Sequence, residues 1–122
     1  MQKKIFLLDD ERDLTELAKS LLQFEGFEVK TSNNPFDALK VLESDPFDLV
    51  VADLMMPGMD GFTFIKTLKT YPVVTKVNIF VLSAKKLSDQ ERRFILYEGI
   101  RFISKPFDPN RLIQLINQTL NS

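Results

Sequence analysis

Three stretches of this chain are apolar without interruption: Ile5–Leu8, Leu49–Ala52 and Ile79–Leu82. A strand with one wet face alternates apolar and polar residues, so solid runs this short point to strands covered on both faces. They belong to a longer series of apolar runs at Lys4–Leu8, Phe27–Lys30, Leu49–Ala52, Val77–Leu82 and Phe102–Ile103. Covering both faces of a sheet requires helices on either side, and strands joined by helices run parallel.

The segments between the runs have helical spacing. Leu14, Leu17, Ala18, Leu21 and Leu22 share one face, opening at Asp13 with Glu16 in capping-box position. Asn34-Pro35 sets a cap and a first-turn proline ahead of Phe36, Leu39 and Leu42. Asp60-Gly61 precedes Phe62, Ile65 and Leu68, and Ser88 with Glu91 forms a capping box before Phe94 and Ile95. Asp108-Pro109 opens a last helix carrying Leu112, Ile113, Ile116 and Leu120. The pattern predicts an α/β fold, a (βα)5 doubly wound, five-stranded parallel sheet. Right-handed crossovers favour the flavodoxin-like order 2-1-3-4-5.

No linker, repeat or biased tract divides the 122 residues, which read as a single domain over 1–122 with no separate output domain. The chain contains neither cysteine nor histidine. That excludes a disulfide framework, a Cys/His zinc site, a cysteine nucleophile and a His-centred triad. The net charge of −1 conceals an asymmetry: residues 1–61 sum to −7 and residues 62–122 to +6. An acidic locus and a basic face on one molecule are expected. No stretch approaches the roughly 18 apolar residues of a membrane span, and the start lacks a signal-peptide core, so a cytoplasmic protein is expected. A pI near 5.5 and the lack of a readout motif argue against nucleic-acid binding.

Ligands of such sheets bind beyond the carboxyl ends of the strands. There the first run stops at Asp9-Asp10-Glu11, the third at Asp53, the fourth at Ser83-Ala84 and the fifth leads to Lys105-Pro106. In the expected order these ends are neighbours. Clustered carboxylates repel one another and call for a cation. Lys105 supplies one charge, and oxygen-only ligands suit Mg2+ or Mn2+. A carboxylate beside a metal, an ammonium and a hydroxyl is placed to accept a phosphoryl group.

Taken together, Asp9-Asp10-Glu11, Asp53-Leu-Met-Met-Pro-Gly-Met-Asp-Gly61, Leu82-Ser-Ala84 and Phe102-Ile-Ser-Lys-Pro-Phe107 resemble the signature of response-regulator receiver domains, across essentially the whole chain. The resemblance implies a phosphorylation-dependent switch of a two-component system, not an enzyme in the usual sense, with slow autophosphatase activity and Mg2+-dependent self-phosphorylation. Asp53 is then the phosphoacceptor. Asp10, Asp53 and the backbone carbonyl of Met55 would ligate the metal, with Asp9 acting mainly through a coordinated water. Lys105 and Ser83 would contact the phosphoryl oxygens, and Phe102 stands at the family's switch aromatic. The Lys105–Pro106 bond is expected to be cis. The donor would be a histidine kinase or a histidine phosphotransfer protein, and the signal would pass to a downstream protein; the family also admits a phosphorylation-dependent dimer.

Gly99-Ile-Arg-Phe102 is one residue shorter than the family's usual approach to that aromatic, so the loop before the fifth strand should be reshaped. Phe102 itself reads either as the switch or as plain core. Lys85, Lys86, Arg92, Arg93, Arg101 and Arg111 read either as a solvated face or as a docking face for an acidic partner. Two rivals fit less well. A haloacid-dehalogenase-type phosphatase wants a second Asp two residues after its nucleophile, where Met55 stands. A flavin-binding protein wants a phosphate cradle where Asp9-Asp10-Glu11 repels phosphate.

Overall fold

The computed structural model describes residues 2–74 and 77–121. Strands β1 (Lys4–Leu8), β2 (Glu28–Ser32), β3 (Leu49–Asp53), β4 (Asn78–Ser83) and β5 (Arg101–Ser104) form one parallel sheet in the order β2-β1-β3-β4-β5. Helices α1 (Arg12–Phe24), α2 (Pro35–Ser44), α3 (Gly61–Leu68), α4 (Asp89–Tyr97) and α5 (Pro109–Leu120) connect and follow them. The expected fold class and strand order are those observed.

Alternate residues of the central strands feed two cores. Phe6, Leu8, Val50, Ala52, Ile79 and Val81 pack under α2, α3 and α4. Ile5, Leu7, Leu49, Val51, Phe80 and Leu82 pack under α1 and α5, with Leu22, Leu112 and Ile116 as anchors. Every residue of β3 is buried, which is why its sequence shows no alternation. The edge strands β2 and β5 are only partly buried, and β2 alternates in its first residues.

Four of the five helix starts follow the expected chemistry. Asn34 Oδ1 accepts from the N–H groups of Phe36 and Asp37, Asp60 accepts from Thr63, and Asp108 from Asn110. Ser88 and Glu91 form a complete capping box. The first helix departs from expectation: its N-cap is Glu11, whose side chain makes no cap hydrogen bond, and Asp13 lies inside the first turn.

Strand boundaries shift by one or two residues from those read in the sequence. Phe27 is buried just outside β2, and the strand runs on to Ser32 because Ser32 pairs with Leu8. Two short elements were not expected: a hairpin of Met55–Met56 with Met59–Asp60, of which only the Pro57-Gly58 turn is marked in the sequence, and a 3-10 turn at Pro72–Val74. Gly61, which starts α3, has to be glycine. A Cβ there would lie 2.5 Å from the Leu54 Cα and 2.6 Å from its carbonyl oxygen. No helix among the described residues is long and apolar enough to cross a membrane.

Candidate functional site

The parallel sheet brings the carboxyl ends of β1, β3, β4 and β5 to one edge. Asp53 closes β3 and Ser83 closes β4, while Asp9 follows β1 directly. All three are buried polar residues, with exposures of 5% for Asp9, 5% for Asp53 and 1% for Ser83. Residues at such a depth need partners. Lys105, held just past β5 by its N–H bond to the Ser83 carbonyl, provides one for each of the two aspartates. Its Nζ lies 2.9 Å from Asp9 Oδ2, 3.1 Å from Asp53 Oδ2 and 2.8 Å from Glu11 Oε1.

The backbone supplies the remaining bonds. Asp53 Oδ1 accepts from the Met55 N–H at 2.9 Å, and Asp9 Oδ1 accepts from the Glu11 N–H at 2.9 Å. Ser83 Oγ accepts from the Lys85 N–H at 2.9 Å. Asp10 is exposed at the rim, yet it presents a carboxylate oxygen within 4.8 Å of oxygens from Asp9 and Asp53. The Met55 side chain is exposed, and the Lys105–Pro106 peptide is cis.

The electrostatics follow from one ammonium facing several carboxylates. Burial pushes the Asp9 carboxyl above the usual aspartate range, against the pull of the Glu11 N–H and of Lys105, and the charge of Asp53 adds to the rise. For Lys105, burial disfavours the charge, but hydrogen bonds to Glu11, Asp9 and Asp53 outweigh it and hold the ammonium above its ordinary value. The rise at Asp9 reports mainly its burial, and the rise at Lys105 reports the three carboxylates gathered round it. The donor set is entirely oxygen, which fits a hard divalent ion.

The sequence-predicted partner face is only partly assembled. Lys85, Lys86 and Arg92 line a groove with Leu87, Ile95, Leu96, Phe102 and Ser104. Phe102 is half-buried there, paired in register with Val81 and packed against the core under α4. Lys85 is partly neutralised by Glu91 at 2.6 Å. Arg93 and Arg101 are exposed, and Arg111 lines a separate groove with Glu25 and Asp108. Before β5, Gly99 with a φ of 68° ends α4, and the Ile100 N–H bonds back to the Ile95 carbonyl. Ile100 is buried, and the chain passes straight into β5.

One participant escaped the sequence reading. Glu11 was visible as the third acid after β1, but not as a partner of Lys105. The only hint was its residue type, since glutamate is a poor choice where a helix wants a short capping side chain.

Comparison with known proteins agrees with this geometry. The model of the response regulator receiver domain matches residues 5–117. The CpxR homolog of Haemophilus influenzae, a transcriptional regulatory protein, is 39% identical over 118 residues, covering 96% of this chain and 50% of that protein. The probable transcriptional regulator ycf29 of Pyropia yezoensis is 30% identical over 120 residues, covering 98% of this chain and 54% of that one. This chain thus spans about half the length of the curated relatives it matches. Among solved structures, the chemotaxis response regulator CheY4 of Vibrio cholerae superposes with a TM-score of 0.86 at 26% identity, covering 98% of this chain and 100% of that one. A CheY-like receiver domain protein from Methanospirillum hungatei gives a TM-score of 0.87 at 24% identity, over 99% and 95% of the two chains, and supports the fold alone. With its parallel sheet, its acidic edge and its lysine matched along almost its whole length, the chain belongs to the response regulator receiver domain family of two-component regulatory systems.

Proposed function

We propose that Asp53 accepts a phosphoryl group from a phosphohistidine on a histidine kinase or a histidine phosphotransfer protein. The observation that carries this reading is Lys105 Nζ held between Asp9 and Asp53, with Asp10 reaching the same spot. In the transfer an Asp53 carboxylate oxygen attacks phosphorus. The new O–P bond forms as the N–P bond breaks, and the histidine nitrogen leaves with the electron pair.

Asp10 and Asp53, the Met55 carbonyl and, through water, Asp9 would hold Mg2+ or Mn2+, which when bound neutralises charge on the phosphoryl oxygens. Lys105 would bind one phosphoryl oxygen, and Ser83 would offer its hydroxyl to another. Slow hydrolysis of the acyl phosphate by water at the same site resets the switch. A Ser83 drawn towards the phosphoryl group shifts the segment that carries Lys85 to Leu87, and Phe102 follows from its half-buried position. The groove beneath α4, basic on its rim and apolar in its floor, changes shape and presents a docking face to an acidic protein partner or to a second copy of the chain.

The test is phosphorylation with a phosphorylated kinase or acetyl phosphate in Mg2+. Asp53→Ala should take up no phosphoryl group, whereas continued uptake at the wild-type level would place the acceptor elsewhere. The haloacid-dehalogenase and flavin alternatives find no support in this pocket, where Met55 sits two residues after Asp53 with an exposed side chain and acids line the loop after β1.

A further inference from the structure

Lys105 has three N–H donors and three carboxylate partners, so in this state its ammonium has no donor to spare. The partners are not alike. The side chains of Asp9 and Asp53 are each 6% exposed, whereas that of Glu11 is 58% exposed, although it makes the shortest of the three contacts at 2.8 Å. An ion pair to an exposed carboxylate contributes little, far less than a buried one costs to break. Glu11 is therefore the partner that Lys105 gives up most cheaply.

The local structure presents Glu11 for this purpose. Its main chain is fixed independently of its side chain, since its N–H donates to Asp9 Oδ1 and its carbonyl accepts from the N–H and Oγ1 of Thr15. It occupies the N-cap of α1, where a side-chain oxygen would ordinarily accept a helix N–H, yet it makes no such bond. The helix forgoes its cap, and the carboxylate instead reaches a lysine 94 positions away.

We infer that Glu11 is a positioning residue that occupies the third N–H of Lys105 in the unphosphorylated protein and yields it to the phosphoryl group on Asp53, so that it slows phosphorylation. This rests on the reading of Asp53 as phosphoacceptor. With acetyl phosphate, an Asp53 oxygen bonds to phosphorus as acetate departs with the electron pair of the broken P–O bond. The incoming phosphoryl oxygens need donors from Lys105: the contact to Asp53 weakens as that carboxyl is esterified, the buried Asp9 keeps its own, and the remaining N–H is the one held by the exposed Glu11. Breaking the Glu11 contact is then part of the cost of reaching the phosphorylated state.

Two variants separate this role from a general effect of negative charge at the rim. Glu11→Gln removes the charge and the ion pair. Glu11→Asp keeps the charge but is one methylene shorter and withdraws from Nζ. Initial phosphorylation rates would be measured against acetyl phosphate concentration in Mg2+, with hydrogen exchange of the Lys105 ammonium followed by NMR in the unphosphorylated protein. Both variants should raise the maximal rate about two- to fivefold, the equivalent of one exposed ion pair, with the KM for acetyl phosphate unchanged. Both should also speed exchange at Lys105 Nζ. A faster Glu11→Gln beside a Glu11→Asp at the wild-type rate would assign the effect to rim charge and overturn the inference, as would a Glu11→Gln no faster than wild type. A wild-type protein that takes up no phosphoryl group would defeat the Asp53 reading instead. The exchange measurement would still test the pairing, and unchanged exchange in both variants would refute it.

Discussion

Lys105 shows how much of this protein rests on one side chain. It closes a pocket in which two carboxylates, each 6% exposed, would otherwise face one another unpaired. Replacing it by methionine keeps the stem and removes the charge. A fully buried ion pair costs about 3–5 kcal/mol when broken, and here the open rim and water reduce that figure. Lys105→Met should therefore lower the unfolding free energy by roughly 1–3 kcal/mol in metal-free buffer, as read by urea denaturation. The loss should shrink when Mg2+ is added, because a cation then stands among the same carboxylates. Asp9, Asp10, Asp53, Ser83 and Lys105 were all legible in the sequence, since each stops or follows an apolar run at the ligand-binding edge of the sheet. The reach of Glu11 was not, because nothing in the sequence says that an exposed glutamate at the start of α1 turns back over the pocket to Lys105.

Among the elements, the central strands were the easiest to read and the edges the hardest. β1, β3 and β4 are covered on both faces, so their apolar runs mark them directly. β2 and β5 have exposed positions, so pairing rather than hydropathy decides where they end. The short hairpin at Met55–Met56 and Met59–Asp60 depends on the turn geometry that Gly58 permits, with φ of 91°, and leaves no periodic trace. At the other end of the sheet Asp45, the C-cap of α2, ties two strands to that helix. Its carboxylate lies 2.6 Å from Lys4 Nζ on β1 and 2.7 Å from Lys30 Nζ on β2. The hydrogen bonds to Lys30 and Lys4 hold the Asp45 carboxyl below its usual range. A depressed carboxylate stabilises the fold above its unfolded pKa and loses that contribution as pH falls through the folded value. Asp45→Asn should cost about 0.5–1 kcal/mol at neutral pH, the partial exposure keeping it small. The difference from wild type should fade below about pH 3.9 and vanish at lower pH, which urea unfolding across a pH series would show.

For the whole molecule, the near-zero net charge hides the organisation that counts: an acidic edge above the sheet and a basic, partly apolar groove beside it. The first was foreseeable from charge counted along the chain. The second was foreseeable only in part, because helix geometry separates Arg111 from Lys85, Lys86 and Arg92. Metal binding to the acidic edge should stabilise the entire fold by mass action, by about 1.4 kcal/mol at tenfold the Kd. Thermal unfolding should therefore move upward with added Mg2+, and Asp10→Asn should lose most of that shift. The pH dependence has a definite sign. Burial raises the Asp9 carboxyl, so the cost of keeping it charged is present at neutral pH and disappears as pH falls through its folded pKa. The metal-free protein gains that stability on mild acidification, while the Mg2+ shift shrinks, because a protonated Asp9 no longer supports the ion.

On the proposed reading one carboxylate, Asp53, carries the signal covalently. Borohydride reduces an acyl phosphate to an alcohol, so treatment of the phosphorylated protein followed by peptide mass analysis reads the modified residue directly. Homoserine is expected at position 53 after phosphorylation in Mg2+, and an unaltered residue in the untreated control. Homoserine at position 9 or 10, or a phosphoryl group that survives borohydride on a hydroxyl such as that of Ser83, would contradict that reading.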